Sequence, residues 1–316
     1  MLYLSEEDVA RLLTMGDALR EVEAALRDLG EGKADNRPRQ RVRGAHTVLN
    51  VMPASWPGRG YYGFKYYSIS REGARFWFHL LDAHSGALLA VLQANRLGQQ
   101  RTGAASGIAT KTLAPRDATV VGILGTGWQA ESQLEATCAV RKIARIRCHS
   151  RRQAQREAFA IKMSKSLGVD VVPVDSAEGA VRGADIVIAA TTASEPVVKG
   201  EWLAPGAHVN AMGANRVEAR ELDDGVVTRA SLIAADSVEQ ARMEAGDLII
   251  PISKGILSWD RVTELSHVVA GKVPGRRKDD DITIFKSLGL AIEDVAVGAF
   301  VYERARTERI GNDVSV

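Results

Sequence analysis

The sequence predicts an α/β protein of two domains, and three patterns carry that expectation. From residue 119 onward, short apolar runs alternate with helix-like segments, as in a parallel sheet covered by helices on both faces. The first of these runs, 120–124, leads into Gly125, Gly127 and Ala130 in a GxGxxA arrangement, and an amphipathic segment follows at 131–140. Residues 33–94 hold short β-type groups separated by turn residues at 56–58, 71–73 and 84–86, a signal for antiparallel sheet.

The elements follow in chain order. Ser5 and Asp8 have capping-box spacing, and a helix-like run continues to about residue 29, where Gly30 and Gly32 stop it. After the β-rich block, residues 95–113 read as a helix crowded with small side chains, including Gly103, Ala104, Ala105, Ser106, Gly107 and Ala109, which let it lie close to a neighbour. Ala114-Pro115-Arg116 breaks it, so the boundary is placed there: residues 1–114 form one domain and 115–287 the other. Strands are expected at 120–124, 143–148, 169–174, 186–190, 208–212, 232–235 and 282–285. Residues 287–306 form a long apolar-periodic helix, and the segment 288–316 is expected to complete the first domain. The run Arg276 to Asp281, three bases then three acids, reads as a solvated loop.

Bulk properties exclude several classes. The chain has 316 residues, 46% hydrophobic and 25% charged, ordinary for a globular protein. A net charge of +2, with bases not gathered on one face, gives no electrostatic case for nucleic acid. No apolar run approaches membrane-spanning length, and the N-terminus carries acids where a secretory signal carries lysines. Cys138 and Cys148 form no CxxC, and the six histidines form no ligand pair, so neither a disulfide nor a metal site is expected and the protein reads as cytoplasmic.

Strand, glycine turn and helix together make a dinucleotide-binding motif of Rossmann type. The first glycine permits the turn, the second lets a pyrophosphate approach the backbone, and the small third residue brings the helix close, so that its first N–H groups face the anion. A carboxylate at the end of the second strand would bind the ribose 2′-hydroxyl of NAD and repel a 2′-phosphate. Here that strand ends at Ser150, followed by Arg151 and Arg152. A hydroxyl and guanidinium groups match a phosphate, which favours NADP(H) and leaves NAD(H) as the alternative.

A basic constellation precedes this domain. Lys65 sits on a strand flanked by aromatics, Arg101 opens the small-residue helix, and Arg39, Arg41 and Arg43 alternate along a β-like segment and so share a face. Several cations aimed into one cleft call for an anion, and a substrate carboxylate is the natural guest. A lysine in apolar surroundings can also exchange protons near neutral pH.

These stretches together resemble the ornithine cyclodeaminase/mu-crystallin family over residues 5–303. The resemblance is carried by Met52-Pro53-Ala54, Gly63-Phe64-Lys65, Arg101-Thr102-Gly103-Ala104-Ala105-Ser106, Gly125-Thr126-Gly127-Trp128-Gln129-Ala130, Gly213-Ala214-Asn215 with Arg220-Glu221-Leu222-Asp223, and Phe285-Lys286-Ser287-Leu288-Gly289 with Glu293-Asp294. It implies a Rossmann domain with an α+β substrate-binding and dimerisation domain, a homodimer joined through sheets, and small α-amino or α-imino acid substrates. Lys65 and Arg101 match the family's substrate-carboxylate residues, and Arg39, with Arg41 as the alternative, matches a third. Two positions depart from the cyclodeaminase pattern. Asn215 stands where cyclodeaminases carry an aspartate base, and Asn50 where they carry a glutamate. An amide takes no proton near neutral pH, so the departures point away from ornithine deamination.

The resulting expectation is an NAD(P)H-dependent oxidoreductase acting on a C=N or C–N bond beside a carboxylate, with a cyclic ketimine such as pyrroline- or piperideine-2-carboxylate as the substrate type. Lys65 and Arg101 are the expected catalytic residues, and Arg39, Arg41, Lys65, Arg101 and Asn215 the substrate-binding ones. The expected cofactor set is Thr102, Gly125, Thr126, Gly127, Trp128, Gln129, Ala130, Ser150, Arg151, Thr191, Met212 and Gly213. The alternatives are an amino-acid cyclodeaminase with bound NAD and a mu-crystallin-like small-molecule binding protein.

Overall fold

Residues 1–315 are described by a computed structural model; Val316, the end of the expected 288–316 segment, lies outside the described residues. The chain divides into two compact units, one of residues 1–105 with 289–315 and one of residues 106–288.

In the first unit the elements are β1 (Leu2–Leu4), α1 (Glu6–Leu12), α2 (Met15–Glu31), β2 (Asp35–Asn36), β3 (Gln40–Arg43), β4 (Val48–Trp56), β5 (Tyr61–Ser70), β6 (Gly73–Asp82), β7 (Leu88–Gln93) and the start of α3 (Asn95–Leu113). The Ser5–Asp8 capping box forms as read, but the helical run is two helices. Thr14 and Asp17 repeat the same box one turn later, and the second start signal ends the first helix at Leu12. Strands β4 to β7 make an antiparallel meander, and β1 joins it in parallel beside β7.

The second unit contains β8 (Val120–Leu124), α4 (Trp128–Val140), β9 (Arg145–His149), α5 (Gln153–Leu167), β10 (Asp170–Pro173), α6 (Ala177–Val181), β11 (Ile186–Ala189), β12 (His208–Ala211), α7 (Asp224–Arg229), β13 (Leu232–Ala235), α8 (Val238–Glu244), α9 (Gly246–Ser253), β14 (Val262–Glu264), α10 (Leu265–Val269) and β15 (Thr283–Lys286). Its sheet runs β10-β9-β8-β11-β12-β15-β13-β14, and every pairing is parallel. Strand β14, only three residues long, was not expected from the sequence. Arg276, read as part of a solvated loop, is instead bound into the fold. It donates to the carbonyls of Leu113 (2.8 Å), Gly206 (2.8 Å) and Asp281 (2.7 Å).

The chain closes with α11 (Ala291–Glu308) and β16 (Asn312–Asp313), both in the first unit. Helix α11 packs with α2 on one face of the first sheet. The apolar stripe of α2 (Ala18, Val22, Ala25, Leu26) has the spacing of a single helical face, and the sheet supplies Met52, Trp56, Phe78, Leu80 and Leu92 beneath. Burial of each of these large side chains contributes about 1.5–3 kcal/mol. No helix among the described residues is long and apolar enough to cross a membrane.

Candidate active site

In the first unit, the helix-covered face of the sheet carries charge at its centre. Alternation along β5 turns Gly63, Lys65 and Tyr67 toward α11, and Phe64 and Tyr66 toward the other face. The aromatics that flank Lys65 in sequence therefore point away from it; Phe64 stacks on His79, and Tyr66 packs against the same ring at a tilt. Lys65 lies opposite Met52 on β4 and Phe78 on β6 and is 2% exposed.

Its partner comes from the far end of the chain. Lys65 Nζ donates to Asp294 Oδ1 at 3.0 Å and lies 2.9 Å from Oδ2. Arg101 Nε donates to the same Oδ1 at 3.0 Å, while its Nη1 donates to Glu293 Oε2 at 2.8 Å. Both carboxylates start α11 and are fully buried. Arg101 lies flat on Gly289, whose φ of +83° suits glycine and where a Cβ would collide with the guanidinium. Arg39, 6% exposed, places its guanidinium 5.9 Å from the Tyr67 ring and adds its charge to the field at Lys65. Burial, then the charge of Arg101, lower the Lys65 ammonium to a pKa of about 8, with Asp294 acting in the opposite direction.

The buried group thus holds three cations (Arg39, Lys65 and Arg101) and two carboxylates. The expectation that clustered bases need an external anion is corrected in part, because Asp294 already pairs with Lys65 and Arg101, and Glu293 with Arg101. Arg41 does not join the cluster. Register sets it opposite Asn50, but all four residues of β3 are exposed, since α11 packs on β4, β5 and β6 and leaves this short edge strand uncovered. Asn50 is 2% exposed, and its Nδ2 meets no hydrogen-bond partner among the described residues. Thr102, beside Arg101, donates from Oγ1 to Gly98 O at 2.7 Å.

In the second unit, the glycine loop follows β8 where the strand order reverses, with β9 on one side and β11 on the other. Ligands of doubly wound sheets sit outside the strand carboxyl ends at such a point. Gly125 has φ +99°, and a Cβ there would collide with Ala190 O. Gly127 faces open space, with nothing within 4 Å of a Cβ built on it. It is the N-cap of α4 and gives the helix no side-chain cap. Ala130 is fully buried, so the helix lies tight against its strand. Open space before uncapped N–H groups fits a pyrophosphate. Trp128 is exposed beside it, and Gln129 is half-buried.

Ser150 directly follows the end of β9 at His149, and its Oγ accepts from Thr126 Oγ1 at 3.0 Å, tying the end of the second strand to the glycine loop. Arg151 and Arg152 are exposed, and Arg156 holds Ser150 O from below at 3.2 Å. Thr191 follows β11, and Met212, Gly213 and Asn215 follow β12. Sequence reasoning assigned no part to Glu293 and Asp294, or to the buried Glu221, Asp247 and Lys286 behind the Thr191 and Gly213 loops. Chain separation hides the first pair: Asp294 lies 229 residues from Lys65.

The model of the ornithine cyclodeaminase/mu-crystallin family matches residues 1–309. A Delta(1)-pyrroline-2-carboxylate reductase of Bacillus cereus is 33% identical over 328 residues, spanning 99% of each chain. The structure of Thermococcus litoralis Delta(1)-pyrroline-2-carboxylate reductase with NADH and L-proline superposes with a TM-score of 0.96 at 37% identity, covering 99% of this chain and 100% of that one. An archaeal alanine dehydrogenase dimer with bound NAD gives 0.94 at 34% identity, covering 100% and 99%. With its lysine strand, RTGAAS helix and glycine loop in place along a full-length match, the chain belongs to the ornithine cyclodeaminase/mu-crystallin family.

Proposed function

We propose that this protein is an NAD(P)H-dependent oxidoreductase of the family's reductase/dehydrogenase branch, acting on the C=N or C–N bond of a small α-imino or α-amino acid. The observation that carries the reading is the buried group in which Lys65 and Arg101 meet on Asp294 with Arg39 close enough to act on Lys65, a set of cations whose donors suit a substrate carboxylate. Similarity to reductases of pyrroline-2-carboxylate supports the same class.

Arg39 and Arg101 bind the carboxylate in this scheme. Lys65 adds a third contact and, with its pKa near 8, holds or releases a proton at the substrate nitrogen. A bound nicotinamide supplies the hydride for the imine carbon. Positioning and charge complementarity then carry most of the rate, because an iminium is already a good hydride acceptor. Asn50 and Asn215 offer amides where a deaminase needs a base. The test is oxidation of NADPH, with NADH in parallel, over cyclic imine carboxylates and over α-keto acids with ammonia. Turnover of at least one imine carboxylate is expected, and binding of coenzyme with no turnover anywhere in the panel overturns the reading in favour of a binding protein.

Two finer assignments belong to the same proposal. The coenzyme is NADP(H), with the 2′-phosphate met by Ser150 and Arg151. Arg151→Ala should weaken NADPH binding about tenfold to a hundredfold, the range for charge-assisted hydrogen bonds, while leaving NADH within twofold in fluorescence titrations. A wild-type preference for NADH sinks this assignment. The assembly is a homodimer. The sheet face turned away from α11 bears Tyr3, Val51, Phe64, Tyr66, Trp77 and Val91, all only half-buried, an apolar patch that a second copy would cover. Tyr66→Asp should shift the mass measured by light scattering from dimer to monomer.

A further inference from the structure

Strands β11 and β12 end side by side, and their ladder stops where the Met212 N–H reaches Ala189 O at 2.9 Å. The next donors have no strand to meet. A side chain takes them instead. Glu221 Oε1 accepts from Thr191 N at 2.7 Å and from Thr191 Oγ1 at 2.7 Å, and Oε2 accepts from Gly213 N at 2.6 Å. One carboxylate therefore fixes two loops at once. Gly213 has no room for a side chain, because a Cβ would collide with Thr191 O and lie 2.6 Å from Glu221 Oε1.

Glu221 is itself held. Asp247, at the start of α9, accepts from the backbone N–H groups of Glu221 (2.7 Å) and Leu222 (2.9 Å). Its other oxygen lies 2.8 Å from Lys286 Nζ, and Lys286 donates onward to Ala214 O at 2.6 Å. The loop after β12 is thus gripped at the Gly213 N–H by Glu221 and at the Ala214 carbonyl by Lys286. All three ionisable side chains are essentially fully buried. Burial, opposed by Lys286, raises the Glu221 carboxyl above the usual range. A buried ionic group of this kind is a weak stability device, and apolar residues of similar volume often do as well or better. What it does supply is fixed direction for backbone groups at the carboxyl ends of the strands, where a doubly wound sheet binds its ligand.

We infer that Glu221, seated by Asp247 and Lys286, is a positioning residue for the coenzyme: it sets the backbone of Thr191 and Gly213 against the bound dinucleotide. The inference rests on the proposed nicotinamide-dependent function. Glu221→Gln keeps shape and volume, but its amide N–H₂ faces the donor of one loop and releases it. The expected result is NADH and NADPH binding weakened about tenfold, by fluorescence titration of the purified protein without substrate, since a buried donor left unmet is costly. Thr191→Val removes the hydroxyl's bond to Glu221 and the one it accepts from the Ala193 N–H at 3.1 Å, and should weaken binding severalfold, whereas Thr191→Ser keeps both and should bind as wild type. A merely structural role predicts the reverse order for the last two, because valine fills the space better than serine. If Glu221→Gln does not fold, the Thr191 pair decides alone. Wild-type affinity in both Glu221→Gln and Thr191→Val overturns the positioning role while leaving the coenzyme reading intact. A wild-type protein that binds neither coenzyme overturns the coenzyme reading itself.

Discussion

Lys65→Ala is expected to lower imine reduction by about three orders of magnitude, as loss of a positioned proton donor that also binds the substrate. The pH dependence carries the sharper test. With a pKa of about 8, the ammonium is charged below that pH and neutral above it. Reduction consumes a proton, so kcat/KM for the imine should be flat below about pH 8 and fall as pH rises through it. Oxidation of the amine needs the neutral form and should rise through the same value. Lys65→Arg moves this limb out of range, since a guanidinium stays charged. An unchanged limb in Lys65→Arg, or near-normal turnover in Lys65→Ala, refutes the role.

The same shift bears on stability. The folded-state pKa lies below the ordinary lysine value of 10.5, so between about 8 and 10.5 the unfolded chain holds more protons than the folded one. The cost of burying the ammonium is therefore full below about pH 8 and is relieved as pH rises toward 10.5. Natural chains retain such a cost where a site needs the group.

Much of this architecture was legible in the sequence because it rests on local rules. Gly125, Gly127 and Ala130 announce a strand–turn–helix through sterics alone, and the observed β8 and α4 sit where those sterics demand. Helix α3 begins and ends where read, with Pro115 just beyond it. The misreadings fall where a local rule ran out. Three residues of β14 are too few to display a period of two. Thr14 escaped notice because apolar spacing continues across it, although it begins a capping box as Ser5 does. Lys65 was set among aromatics by adjacency, while strand alternation turns Phe64 and Tyr66 to the opposite face. Arg41 kept the parity of Arg39 but not its burial, because burial depends on where α11 stops covering the sheet. Glu293 and Asp294 stood in plain view as residues, but their pairing with Arg101 and Lys65 is a property of the folded chain.

That pairing makes the second large effect predictable. Asp294 is fully buried and is the acceptor that Lys65 Nζ and Arg101 Nε share at 3.0 Å each. Asp294→Asn keeps the shape and removes the charge that Lys65 and Arg101 share. Breaking a buried ion pair in this way costs about 3–5 kcal/mol, roughly a ten-degree fall in melting temperature by calorimetry. Asp294 also holds the Lys65 pKa up, so its loss should move the pH limb of imine reduction below 8. Glu293 makes a useful contrast. It accepts from Arg101 Nη1 at 2.8 Å and from the Leu290 N–H at 3.3 Å, and does not bond Lys65. Glu293→Gln should therefore destabilise the fold while leaving the limb near 8. A substrate carboxylate replaces part of the missing negative charge, so added product amino acid should raise the melting temperature of Asp294→Asn more than that of the wild type. A limb that stays in place in Asp294→Asn, or moves equally in both variants, would mean that the proton at the substrate nitrogen is governed by some group other than Lys65.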